Sequence, residues 1–109
     1  MRYKRRYVLV KIIGITSAEE ASKAVYSTMN RLYPLLGIKS NFRVLNELAV
    51  KLDGGIMTVI SVSNKYINDA IFILSLMRRF YNANLITVII SGSLRRIKSE
   101  EKKYGSDVA

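Results

Sequence analysis

The sequence contains no cysteine, no histidine and no tryptophan. Without cysteine there is no disulfide framework, no thiolate metal site and no thiol nucleophile. Without histidine the usual general base near neutral pH is missing. Acids are scarce as well: 8 Asp and Glu stand against 18 Lys and Arg, a net charge of +10 over 109 residues. Long apolar runs are lacking. The stretch Leu85–Ile90, with Thr87 inside it, falls far short of the ~18 residues a membrane span needs. The start, Met1 to Ile13, has the outline of a secretion signal, but Lys11 interrupts its apolar part after four residues; it reads as a strand, and the expected location is the cytoplasm with no membrane partner. What is present is a chain that is half apolar, which excludes disorder as the main state. The length suits one domain over residues 1–109. A small, folded, strongly basic protein has a polyanion, most often nucleic acid, as its default partner.

The local patterns give seven elements. Tyr7–Ile13 is β-branched and aliphatic, a strand closed by Gly14. Ser17-Ala18-Glu19-Glu20 fits a capping box. Ala21, Val25, Met29, Leu32 and Leu36 then recur at helical spacing, with Pro34 in the last turn and Gly37 as the stop. Val44–Leu52 alternates, placing Val44, Leu48, Val50 and Leu52 on one face; Asp53-Gly54-Gly55 signals a tight hairpin into a third strand, Ile56–Val62. Asn64 is placed to cap a second helix over about 65–81. Asn82-Ala83-Asn84 breaks it, Leu85–Ser91 is a fourth strand, and Ser91-Gly92-Ser93 opens a third, charged helix from Leu94 to about Tyr104. The order βαββαβ followed by a helix is that of an α+β, ferredoxin-like or RNA-recognition-like sandwich with an extra C-terminal helix.

The carboxylates offer little chemistry. Glu19, Glu20 and Asp69 sit near helix starts, where acids favour the dipole. Asp53 belongs to a turn, and Glu100 and Glu101 are spaced to pair with Arg96 and Lys98. No catalytic residue and no metal ligand set emerges. The cations are more informative because they cluster. Arg2, Lys4, Arg5, Arg6 and Lys11 crowd the first eleven residues, and Arg95, Arg96, Lys98, Lys102 and Lys103 crowd the last helix. With the first and fourth strands as antiparallel neighbours, the two clusters are expected at opposite ends of the sheet, as two patches or one long stripe. Free N–H groups at the Ser91-Gly92-Ser93 helix start favour an anion, or else Ser93 caps and Gly92 turns the chain. The candidate nucleic-acid-binding set is therefore Lys4, Arg5, Arg6, Lys11, Ser91, Gly92, Ser93, Arg95, Arg96, Lys98, Lys102 and Lys103.

Tyrosine supplies seven of the ten aromatics, and Tyr3 and Tyr7 interleave with the N-terminal arginines. The third strand carries no aromatic, so the sheet is not expected to stack single-stranded bases as RNA-recognition domains do; charge and shape are expected to dominate. The second helix is apolar nearly all round, from Ile67 to Tyr81, where a two-layer domain needs one stripe. The surplus points to a protein interface, with Phe72, Ile73, Leu76 and Phe80 as candidates.

Several stretches together resemble archaeal ribonuclease P protein component 2, of the Pop-five family: Arg5-Arg6-Tyr7-Val8-Leu9-Val10, Tyr66-Ile67-Asn68-Asp69-Ala70-Ile71 through Leu74-Ser75-Leu76, and Val88 to Lys98 with Lys103-Tyr104-Gly105. The likeness covers most of the chain and is faint from Leu35 to Asn46. It implies a non-catalytic subunit of the ribonucleoprotein that removes 5′ leaders from precursor tRNA, contacting that substrate indirectly. Catalysis would belong to the ribonuclease P RNA and to magnesium bound by it, with no cofactor on the protein. It further implies pairing with ribonuclease P protein component 3, and self-association. The other class that fits the residues is a basic dimeric nucleic-acid-binding protein of chromatin or ribosome type.

Overall fold

The computed structural model describes residues 4–35 and 41–105. β1 spans Arg5–Ile13, α1 Ala18–Leu32, β2 Arg43–Leu52, β3 Gly55–Ser63, α2 Ile67–Leu74, β4 Asn84–Ser91 and α3 Leu94–Gly105. The four strands form one sheet in the order β2-β3-β1-β4, antiparallel at each pairing. This is the α+β, ferredoxin-like βαββαβ arrangement with a C-terminal helix.

Alternation along the strands sends side chains to two faces, and both faces are covered. On one, Val8, Val10, Ile12, Ile56, Ile60 and Val62 pack with Ala21, Ala24, Val25 and Met29 of α1 and with Ala70 and Leu74 of α2. On the other, Leu9, Met57 and Val59 pack with Ile97 of α3, and Leu45, Leu48, Leu52 and Leu94 close around them. Double coverage explains why β3 is buried along its whole length and reads as a continuous apolar run.

The local signals act as their chemistry requires. The Ser17 hydroxyl accepts from the Glu20 N–H at 3.4 Å, capping α1. That helix ends at Leu32, and the Tyr33 N–H donates to the Met29 carbonyl at 2.9 Å. Tyr33 is driven off helical geometry because it precedes Pro34; Pro34 and Leu35 are helical again after this break, and Leu36, where the stripe is expected to end, lies outside the described residues. Gly37 lies outside the described residues. Gly54 takes a left-handed φ of 77° in the β2–β3 turn, a conformation cheap only for glycine.

Three expectations are corrected. β2 is irregular between Leu45 and Val50. The inserted residues reverse the alternation: Leu45 and Leu48 join the α3 face, whereas Val44 and Ala49 face α1. Val44 thus lies opposite Leu48 and Leu52 rather than beside them. The second helix is not continuous. A 3₁₀ turn, Asn64–Tyr66, leads into α2, which stops at Leu74, and another 3₁₀ turn follows at Met77–Arg79. The Ser75 hydroxyl donates to the Phe72 carbonyl at 2.6 Å, a local bond of the kind that competes with the helix ladder. Asn64 is no helix cap; its side chain accepts from Arg6 instead.

Candidate nucleic-acid interface

The pairing of β1 with β4 decides where the cations go. Tyr7 lies opposite Ser91 and Val8 opposite Ile90, because in an antiparallel pair the end of one strand abuts the start of the other. The two basic clusters therefore meet at one end of the sheet, not at opposite ends. The contact is close: a methyl group placed on Gly92 would lie 3.4 Å from the Arg6 guanidinium.

Arg5 and Arg6 leave β1 on opposite faces. On the α3 side, Arg5 donates from Nε to the Ser61 hydroxyl at 2.7 Å and from Nη2 to the Asn41 carbonyl at 2.8 Å. On the other side, Arg6 Nε donates to Asn64 Oδ1 at 2.9 Å. Each guanidinium is thus fixed in place with further N–H groups to spare, which lowers the entropy lost when it meets a phosphate. The Lys4 carbonyl accepts from the Asn64 N–H at 2.8 Å, and its side chain belongs to an exposed residue.

At the start of α3 the Ser91 hydroxyl accepts from the Ser93 N–H at 3.0 Å and the Ser93 hydroxyl from the Arg96 N–H at 3.5 Å. The turn's own hydroxyls thus occupy part of the donor set a phosphate would use. Gly92 is exposed and has no left-handed φ, so its backbone does not require glycine. Beyond the turn, Arg95, Lys98, Ser99 and Lys102 line a shallow cleft of about 450 Å³ along the solvent side of α3, and Arg96 is exposed beside it.

Two candidates fall away from this end. Lys11 lies four residues further along β1, about 13 Å at strand rise, with its ammonium 5.9 Å from the Tyr104 ring centre. Lys103 is paired with Glu100 at 3.1 Å, the one ion pair among the described residues. Glu100 therefore takes Lys103 rather than Arg96. Glu101 turns inward and is 8% exposed, with Oε2 buried and lacking a hydrogen-bond partner among the described residues. Burial pushes its carboxyl above the usual carboxylate range, and the charge of Lys98 partly opposes this. Tyr3 and Arg2 lie outside the described residues.

Arg43, absent from the sequence-based set, joins the site. In register Arg43 and Tyr7 both face Ser61, from β2 and β1 respectively, and a groove of about 360 Å³ runs over them, bounded by Arg5, Leu45, Glu47, Leu48, Leu94 and Lys98. A lone arginine between Phe42 and Val44 gives no sequence signal; only the strand order brings it to the cluster.

The surplus apolar surface is smaller than the helix pattern predicts. Phe72 is 64% exposed, but Ile73 packs against the larger core and Leu76 is half-buried. Phe80, also half-buried, lies under Arg31 with 5.1 Å between the guanidinium carbon and the ring centre. Ile86 and Ile90 of β4, 50% and 43% exposed, add to the apolar surface. Among the described residues no helix is long and apolar enough to cross a membrane.

No family model matches the chain, and no curated protein does. Among solved structures, similarity is found to a de novo designed protein, Ferredog-Diesel, at 14% identity and a TM-score of 0.44, over 82% of this chain and 88% of the designed one.

Proposed function

We propose that this chain is a cytoplasmic, non-catalytic RNA-binding subunit of ribonuclease P, which supports magnesium-dependent cleavage of precursor tRNA by the RNA component. The observation that carries the reading is the joining of the two basic clusters by the β1–β4 pairing, which sets Arg5, Arg6, Arg95 and Arg96 around one end of the sheet, with Lys98 and Lys102 continuing the charge along α3. A concentrated cationic surface of this kind screens phosphate crowding in a folded RNA and positions it without reading sequence. The resemblance of Arg5–Val10 and Val88–Lys98 to protein component 2 of the archaeal enzyme supports the same reading, since those segments build this surface. Phe72, Ile86 and Ile90 supply apolar area for protein component 3 or for a second copy.

Reconstitution tests it. The protein, with and without component 3, is added to the archaeal catalytic RNA, and precursor-tRNA cleavage is followed at limiting magnesium. Stimulation that is lost in an Arg95→Ala/Arg96→Ala variant is the expected result. No stimulation, together with equal affinity for double-stranded DNA, would favour a general chromatin- or ribosome-type binder instead.

A further inference from the structure

We propose that the groove between the open end of the sheet and α3 holds one nucleotide of a single-stranded RNA segment, with its phosphates on Arg5, Arg43 and Lys98 and its base against Tyr7. This deepens the RNA-binding reading and rests on it.

α3 covers only part of its sheet face. Ile97 seals Leu9, Met57 and Val59, but the row that holds Arg43, Ser61 and Tyr7 stays open at the end where α3 begins. The floor of the opening is apolar and aromatic, from Tyr7, Leu45, Leu48 and Leu94, while Arg5, Arg43 and Lys98 supply the charge. Among the described residues none of these three cations is paired with a carboxylate. Arg5 is already held by Ser61 and Asn41. A simple phosphate site would need no apolar floor, and a lipophilic ligand would need no cations; a nucleotide needs both. The volume of about 360 Å³ falls in the roughly 300–1,000 Å³ range of small-ligand clefts, enough for one nucleotide rather than a duplex. Glu47 is the one acid in the lining. It repels an acidic peptide, but it accepts from an exocyclic base amine. Lys98 lines both this groove and the cleft with Arg95 and Lys102, so a strand leaving the groove continues along α3.

The test uses the full chain and fluorescence anisotropy with a labelled ten-nucleotide oligoadenylate, a duplex RNA of equal length and the ribonuclease P RNA. Wild type is expected to bind the single strand more tightly than the duplex. Arg43→Ala, at an exposed position, is expected to weaken the single strand several-fold and the duplex little. Tyr7→Leu is expected to weaken it roughly ten-fold, as loss of a stacking platform does, and Tyr7→Phe to restore it; circular dichroism checks that each variant is folded. Equal single-strand affinity in wild type and Arg43→Ala would overturn the proposal. So would a glutamate decamer bound as tightly as the oligoadenylate and with the same dependence on Arg43. If wild type binds the ribonuclease P RNA but not the oligoadenylate, the groove assignment fails and the subunit reading stands; if it binds neither, both fail.

Discussion

Replacing Glu101 by Gln should stabilise the protein at neutral pH. Glu101 is 8% exposed as a residue, and its Oε2 is buried without a hydrogen-bond partner among the described residues. A buried polar atom left unsatisfied costs about 1–3 kcal/mol, and more when charged. Glutamine keeps the shape and removes the charge, so the gain should be about 1 kcal/mol, a rise of roughly 4 °C in Tm for a domain of this size. The pH dependence fixes the cause. Burial raises the folded-state pKa above the ordinary value of 4.5, so the wild-type penalty is full above the raised pKa and vanishes below about 4.5. The gap between variant and wild type should be widest at pH 7 and close as the pH falls through that window. Lys98, whose charge partly offsets the burial, supplies a second arm. Lys98→Met should cost about 0.5 kcal/mol in the wild type and close to nothing beside Glu101→Gln, a coupling that a double-mutant cycle isolates. Thermal melts followed by circular dichroism between pH 4 and 8 suffice. If Glu101→Gln melts at or below wild type at pH 7, or if the gap ignores pH, the carboxylate is not the source of strain.

Other outcomes follow from the same geometry. RNA affinity should fall with salt at a log–log slope of about −4 to −5, for about six phosphates contacted by the joined clusters; Arg95→Ala/Arg96→Ala should flatten the slope by about 1.5 units, and a salt-independent affinity would contradict the electrostatic reading. Ile97→Ala, at the one fully buried apolar position of α3, should cost about 2–4 kcal/mol, with amide exchange accelerated across α3 and the facing strands before α1; uniform acceleration would show that the two cores are not separable. Gly14 has a φ of 104°, and a Cβ there would sit 2.5 Å from the Asn82 carbonyl, whereas Gly54 opens onto free space. Gly14→Ala should therefore cost roughly 3 kcal/mol or more and Gly54→Ala only about 1, as measured by urea unfolding.

Much of the fold is written in local chemistry that a single sequence displays. Ser17 caps α1, Asp53-Gly54 turns the hairpin, and the β-branched runs become strands within a residue or two of their expected bounds. Features set by tertiary context were not legible. The irregularity in β2 that turns Val44 away from Leu48 depends on pairing with β3. The break at Ser75 depends on a hydroxyl choosing a local carbonyl over solvent. Glu101 looks like a surface acid by spacing, yet the sheet claims its side of α3. At the candidate site, the cations of β1 and α3 were visible as clusters, and the antiparallel pairing expected of β1 and β4 already brings them to one end, contrary to the expectation of opposite ends; Arg43 enters only because β2 lies beyond β3.

The position of β1 has a consequence for the timing of synthesis. It is translated before the other three strands of the sheet, yet it lies between β3 and β4, so it waits for both neighbours to be made. The arginines it carries face the Ser91 turn only after β4 docks. Until β4 docks the chain thus presents scattered charges, and the joined cationic surface appears only when the four-stranded sheet is complete.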